Sequence, residues 1–162
     1  MQRKDKEQEN KLSEGKYYEV IIGNILDAPE DIMIAHQVSS DLRGINMQGL
    51  AKEIFTIYPN ANVYKKGTTT VGTITVRDRI INMTSQRFPG APKPKENDSY
   101  SNRLEWFQSC LNSIAEIPDI TKVALPYNIG CGLARGNWTD YERMINEFAS
   151  NNRHIKVILY LK

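Results

Sequence analysis

The stretch 124-ALPYNIGCGLARGNWTDY-141 places Gly130, Gly132 and Gly136 between a short apolar run and a segment with helical spacing led by Trp138. A strand-to-helix connection needs one glycine at most, so the excess asks for a reason. Glycine lets a backbone adopt positive φ and bring its N–H groups close to an oxyanion. The helix that follows would add free N–H donors and the positive end of its dipole, and Thr139 with Glu142 has the pattern of a capping box. The alternative is a tight turn. Two familiar phosphate loops do not fit. Gly136 is followed by Asn137 and Trp138, not by the lysine and hydroxyl residue of a P-loop, and three residues separate Gly132 from Gly136 where the dinucleotide fingerprint has two.

Outward from this loop the chain alternates strands and helices. On the amino-terminal side, 17-YYEVIIG-23 and 31-DIMIAHQV-38 read as buried strands parted by the turn-like 27-DAPE-30. Met47, Leu50, Ala51, Ile54, Phe55 and Tyr58 fall at helical spacing, and Pro59 ends the pattern. The runs 71-VGTITV-76 and 79-RIINMT-84 read as a hairpin turning at Arg77 and Asp78. Tyr100, Leu104, Phe107, Leu111 and Ile114 predict a second helix, and 121-TKVALPY-127 a strand. Trp138, Tyr141, Met144, Ile145 and Phe148 predict the third helix, and 154-HIKVILYL-161 the last strand. Such alternation implies a layered α/β fold with the sheet covered on both faces.

Composition narrows the partners. A chain of 162 residues suits one domain, and a net charge of +2 gives no global field for nucleic acid or membrane. Any anion site must therefore be local. Cys110 and Cys131 are too few for a disulfide scaffold, and no His/Cys cluster has zinc spacing, so no metal or other cofactor is expected. Residues 1–15, with mixed charges and no apolar core, read as a disordered, solvated tail with neither signal peptide nor membrane anchor, leaving residues 16–162 as the domain. A cytoplasmic location (the host cell's, if the source is viral) and a monomer are expected. The proline-bearing segment 85-SQRFPGAPKPKENDS-99 is an irregular loop: either a plain surface connection or one that closes on a ligand. Its cations Arg87, Lys93 and Lys95 keep open a nucleic-acid accessory role.

A second glycine-bearing connection, 39-SSDLRGINMQGLA-51, leaves the second strand, with Asn46 as a candidate N-cap. Ligands of open α/β sheets lie beyond the carboxyl ends of the strands, so two such loops can clasp a pyrophosphate from both sides.

The series VIIGNIL, IAHQVSSD, GLAKEI, IINMTSQ and LPYNIGCGLARGNW, in this order, resembles the macrodomain family of ADP-ribose binders, from about Tyr17 to Leu161. The likeness is to its small stand-alone branch, with ADP-ribose-1''-phosphate phosphatases and terminal ADP-ribose hydrolases. The resemblance implies a three-layer α/β/α macrodomain with a mixed central sheet. It implies as partner ADP-ribose, ADP-ribose-1''-phosphate or an ADP-ribosylated protein. By the same resemblance Gly23, Asn24 and Ile25 would hold the adenine, Asn24 taking its exocyclic amine. Gly49, Leu50 and Ala51 would open the first phosphate loop. Ile129, Gly130, Cys131, Gly132 and Leu133, continuing to Gly136, would form the second. Tyr127 and Asn128 would lie beside the distal ribose, with Ser39 at the end of the second strand as a further contact to it, and Gln37 would be among the ligand-binding residues.

Two departures bear on chemistry. Ser39 stands where most members have asparagine, and the lysine and aspartate of the glutamyl-ADP-ribose hydrolases are replaced by the Thr84–Gln86 stretch and by Ala134. The remaining candidates for activating water are His36, which the phosphatase-like members share, and Asp41. His36 can equally be a buried structural histidine, and Asp41 an ordinary solvated carboxylate. Cys131 reads as packing and Arg135 as solvent-facing. The expected activity is hydrolysis at the distal ribose; the alternative is a non-catalytic reader or sequestering protein.

Overall fold

The computed structural model describes residues 3–162. Six strands form one sheet in the order β1-β6-β5-β2-β4-β3: β1 (Glu19–Ile22), β2 (Met33–Ser39), β3 (Thr73–Arg77), β4 (Ile80–Gln86), β5 (Lys122–Pro126) and β6 (Lys156–Leu161). All neighbours run parallel except β3, which pairs antiparallel with β4. The sheet is therefore mixed, as expected. The hairpin turns one residue later than its sequence suggests, at Asp78 and Arg79, because Asp78 takes the left-handed conformation (φ 54°) that a short polar side chain tolerates.

The layers follow from strand alternation. In β2, Ile34 and Val38 face one side with Ile54 and Phe55 of helix α2 (Gly49–Ile57), while Ala35 faces the other. That second face is covered by Phe107, Leu111 and Ile114 of α3 (Tyr100–Ala115) and by Tyr141, Ile145 and Phe148 of α4 (Trp138–Asn151). The result is a three-layer α/β/α arrangement in which the carboxyl ends of β1, β6, β5, β2 and β4 share one edge.

The amino terminus corrects the sequence reading. Arg3–Ser13, expected as part of a disordered tail, is a helix, α1; Met1 and Gln2 of that expected tail lie outside the described residues. Its anchor is Glu9, only 3% exposed, whose carboxylate accepts the Ile22 N–H at 2.8 Å. Leu12 packs on the core beside it. The bond occupies a donor on the edge strand β1 and screens it, one of the ways proteins protect sheet edges. A helix held by one carboxylate and one leucine carries almost no apolar periodicity. Glu9→Ala should lower stability by about 1–3 kcal/mol by leaving that N–H unpaired, while Glu9→Gln, which keeps an acceptor, should restore most of it in urea unfolding.

Candidate functional site

At the carboxyl ends of β2 and β4 opens a cleft of about 480 Å³. Gln37, Ser39 and Gln86 contribute its strand-borne side. Leu42, Ile45, Met47, Gln48 and Ala51 line it from the β2–α2 connection, Leu133, Ala134 and Arg135 from the glycine loop, and Pro89, Gly90 and Ala91 from the proline-bearing loop, with Tyr64 completing it. The 85–99 segment is thus part of the cleft rather than a plain connection. Two of its three cations are spent internally: Lys93 Nζ donates to the carbonyls of Pro89 and Ala91, and Arg87 donates to Asn97 O and lies over Trp106, while Lys95 is exposed.

The β2–α2 wall is set by hydrogen bonds that continue the strand pairing: Ser40 N–H donates to Gln86 O and Asp41 N–H to Arg87 O. The chain then turns through Arg43 and Gly44, both at positive φ, with Asp41 Oδ1 accepting the Arg43 N–H at 2.8 Å. Gln48, not Asn46, occupies the cap position of α2, and its side chain makes no capping bond. The N–H groups of Gly49, Leu50 and Ala51 therefore have no acceptor among the described residues.

The opposite wall is the glycine loop. Gly130 lies at φ 78°, and a Cβ there would meet Tyr141 Cζ at 2.8 Å and Gln37 Oε1 at 3.1 Å. A Cβ on Gly136 would lie 2.4 Å from Gly130 O, to which the Gly136 N–H donates at 2.8 Å. These two glycines close the loop on itself and on Tyr141. Gly132 faces open space. The N–H groups of Gly132, Leu133 and Ala134 are without an acceptor among the described residues. The N-cap of α4 is Asn137, whose Oδ1 accepts the Thr139 N–H, so the Thr139–Glu142 capping box does not form; Glu142 instead meets Tyr18 OH and Lys16.

Of the residues expected at the site, Gln37, Ser39, Ala51 and Leu133 line the cleft, and Gly49 and Leu50 adjoin it at the start of α2. Ser39 is buried, its N–H donated to Tyr64 OH at 2.9 Å, and burial holds the Tyr64 phenol above its ordinary pKa. Ile129 belongs to the core. Burial, then the nearby Asp140 carboxylate, pushes the Cys131 thiol up to about 11, consistent with packing and not with a nucleophile. Tyr127 packs on Trp138 with ring centroids 4.8 Å apart, and Asn128 is exposed; neither lines the cleft. Gly23, Asn24 and Ile25 lie at the end of β1, three strand spacings from β2 or about 14 Å. There Asn24 Oδ1 accepts the Leu26 N–H at 3.0 Å and keeps capacity for a second donor, while Ile25 is buried.

His36 is not in the cleft, which corrects its reading as a base. It is 1% exposed, shares the face of Ile34 and Val38, and packs edge-on against Phe55. Asn82 donates its amide to the carbonyls of Ala61 and Thr75, so its Oδ1 must face His36 Nε2, 2.7 Å away, and that nitrogen carries the proton. Asp41 is exposed on the loop beside Leu42 and does not line the cleft. Among the described residues, Arg135 is the one lining residue that carries a formal charge.

Sequence reasoning missed Tyr64, Gln86 and, behind the wall, the buried pair Asp98–Arg103. The only available signal was the length of the 85–99 loop.

No protein-family model matches the sequence, nor does any curated protein. Solved structures do. The macrodomain of Thermus aquaticus DarG is 20% identical at a TM-score of 0.64, over 87% of this chain and 95% of that one. The macrodomain of Mycobacterium tuberculosis DarG is 18% identical at a TM-score of 0.66, over 88% and 97%. An Oceanobacillus iheyensis macrodomain mutant solved with ADPR is 15% identical at a TM-score of 0.58, over 89% and 84%. These likenesses establish the fold, and the chain has the macrodomain fold.

Proposed function

We propose that the cleft binds ADP-ribose or a close derivative, with the pyrophosphate between the start of α2 and the glycine loop. One observation carries this reading. Two runs of backbone N–H groups, Gly49–Ala51 and Gly132–Ala134, belong to two segments that line one cleft through Ala51, Leu133 and Ala134, and they have no acceptors among the described residues. Free N–H groups of this kind suit a dianionic bridge and need no lysine. The Asn24 turn would receive the adenine further along the same edge of the sheet. The fold shared with a macrodomain solved with ADPR supports the choice of ligand.

Between the two functional classes, the lining favours a reader or sequestering protein. Its strand-borne side chains, Gln37, Ser39 and Gln86, are neutral, and Gln37 Nε2 is committed to Gln86 Oε1. Hydrolysis at the distal ribose is the second reading; it would draw on Asp41, whose carboxylate is exposed on the loop next to the cleft. Calorimetry with ADP-ribose should give saturable binding, and no heat at millimolar ligand would overturn the proposal. Product analysis on ADP-ribose-1''-phosphate and on ADP-ribosylated protein separates the classes: turnover abolished by Asp41→Asn supports the enzyme, and binding without turnover the reader.

A further inference from the structure

We infer that Arg103, held by Asp98, is a positioning residue that joins the proline-bearing loop and the glycine loop into a single wall and turns their carbonyl oxygens away from the ligand. This rests on the binding function proposed above.

Arg103 lies on α3 and is 1% exposed; Asp98 is 0% exposed. The two form a fork: Arg103 Nε donates to Asp98 Oδ1 at 3.0 Å and Nη2 to Oδ2 at 2.7 Å. The same guanidinium reaches the carbonyl oxygens of Gly90 at 2.8 Å, Phe88 at 3.2 Å, Ala91 at 3.2 Å and Ala134 at 3.4 Å. Its planar array of five donors is thereby shared between a carboxylate and two separate loops. Asp98 in turn accepts the N–H groups of Arg87 and Phe88. Burial would raise its carboxyl, but Arg103 and these amides outweigh burial and hold it below the ordinary carboxylate value.

A buried ion pair is a poor device for stability alone, since apolar residues of similar volume often serve as well. What an apolar pair cannot do is collect carbonyls. Gly90, Ala91 and Ala134 all line the cleft, whereas Arg103 does not. Released from the guanidinium, these carbonyls could swing into the part of the cleft that their loops line; bound behind the wall they cannot. Three of the four carbonyls belong to the proline-bearing loop, which supplies none of the proposed anion donors and stands at the β2–β4 end of the cleft, away from the Asn24 turn. It should therefore act on the distal ribose more than on the adenine and pyrophosphate.

The test is calorimetry of the full chain with ADP-ribose and with ADP, which lacks the distal ribose, alongside the melting temperature. Arg103→Lys keeps the charge but loses the fork; Asp98→Asn keeps the shape and serves if the first variant fails to fold. Wild type should prefer ADP-ribose, and the variants should lose roughly tenfold in ADP-ribose affinity with ADP changed by less than about threefold. If both ligands weaken in parallel, as a merely structural role predicts, or if neither does, the inference is overturned. A wild type that does not distinguish the two ligands overturns it as well. Failure of wild type to bind either nucleotide overturns the underlying binding proposal instead.

Discussion

Gly136→Ala is expected to reduce ADP-ribose affinity by at least about a hundredfold, close to loss of binding. The added methyl would sit 2.4 Å from the Gly130 carbonyl oxygen and 2.6 Å from Tyr141 Cε2. One obstacle is main chain and the other a ring buried against Phe107, with centroids 4.8 Å apart, so neither can yield cheaply. Relief must come from opening the loop, which breaks the Gly136–Gly130 hydrogen bond and displaces the N–H groups of residues 132–134 between them. Gly132→Ala is the control. A Cβ there meets nothing within 4 Å, and the N–H is retained, so affinity should stay within about threefold of wild type. Isothermal titration of both variants decides the matter; equal losses would mean that the glycines do not act through loop closure.

Falling pH should destabilise this protein through His36, beginning above the range in which ordinary carboxylates titrate. Burial, only partly offset by the hydrogen bond to Asn82, lowers the His36 pKa from 6.5 to about 4. The unfolded chain therefore binds a proton on this residue between pH 6.5 and 4 that the folded chain refuses. The associated stability is complete above pH 6.5, declines through that interval and is spent near pH 4, a loss of up to about 3 kcal/mol. Asp98, held below its ordinary value of 3.8, gives way only below that pH and does not confuse the window. Urea unfolding at pH 7, 6 and 5 should show this slope in wild type. His36→Gln, which can still donate to Asn82, should flatten it, and an undiminished slope in that variant would refute the assignment.

The same residue shows how far the sequence could be read. In 34-IAHQVS-39 alternation puts His36 on the face of Ile34 and Val38, in mid-strand between two apolar neighbours, a period-two signal that already places the histidine in the layer under α2. The β-strands and the helices α2 to α4 were legible because each carries its own apolar period. Glu9 and the Asp98–Arg103 pair were not. A charged side chain reads as solvated until the chain is folded, and what buries these three is main chain from distant segments: Ile22 for one, Phe88, Gly90, Ala91 and Ala134 for the others. The two glycine-bearing loops of the cleft were legible through their glycines, whereas Tyr64 and Gln86 carry no local mark of their position.

A cleft whose proposed anion donors are all main chain has a consequence for how such proteins change over time. Every residue except proline supplies an N–H, so positions 50, 51, 133 and 134 can drift widely without altering what the walls offer. Only the few glycines that set the path of the backbone, Gly130 and Gly136 above all, resist replacement. Letter-by-letter comparison loses sight of such a protein long before its shape does, as here, where neighbours at 14–20% identity share the fold and no family profile matches the chain.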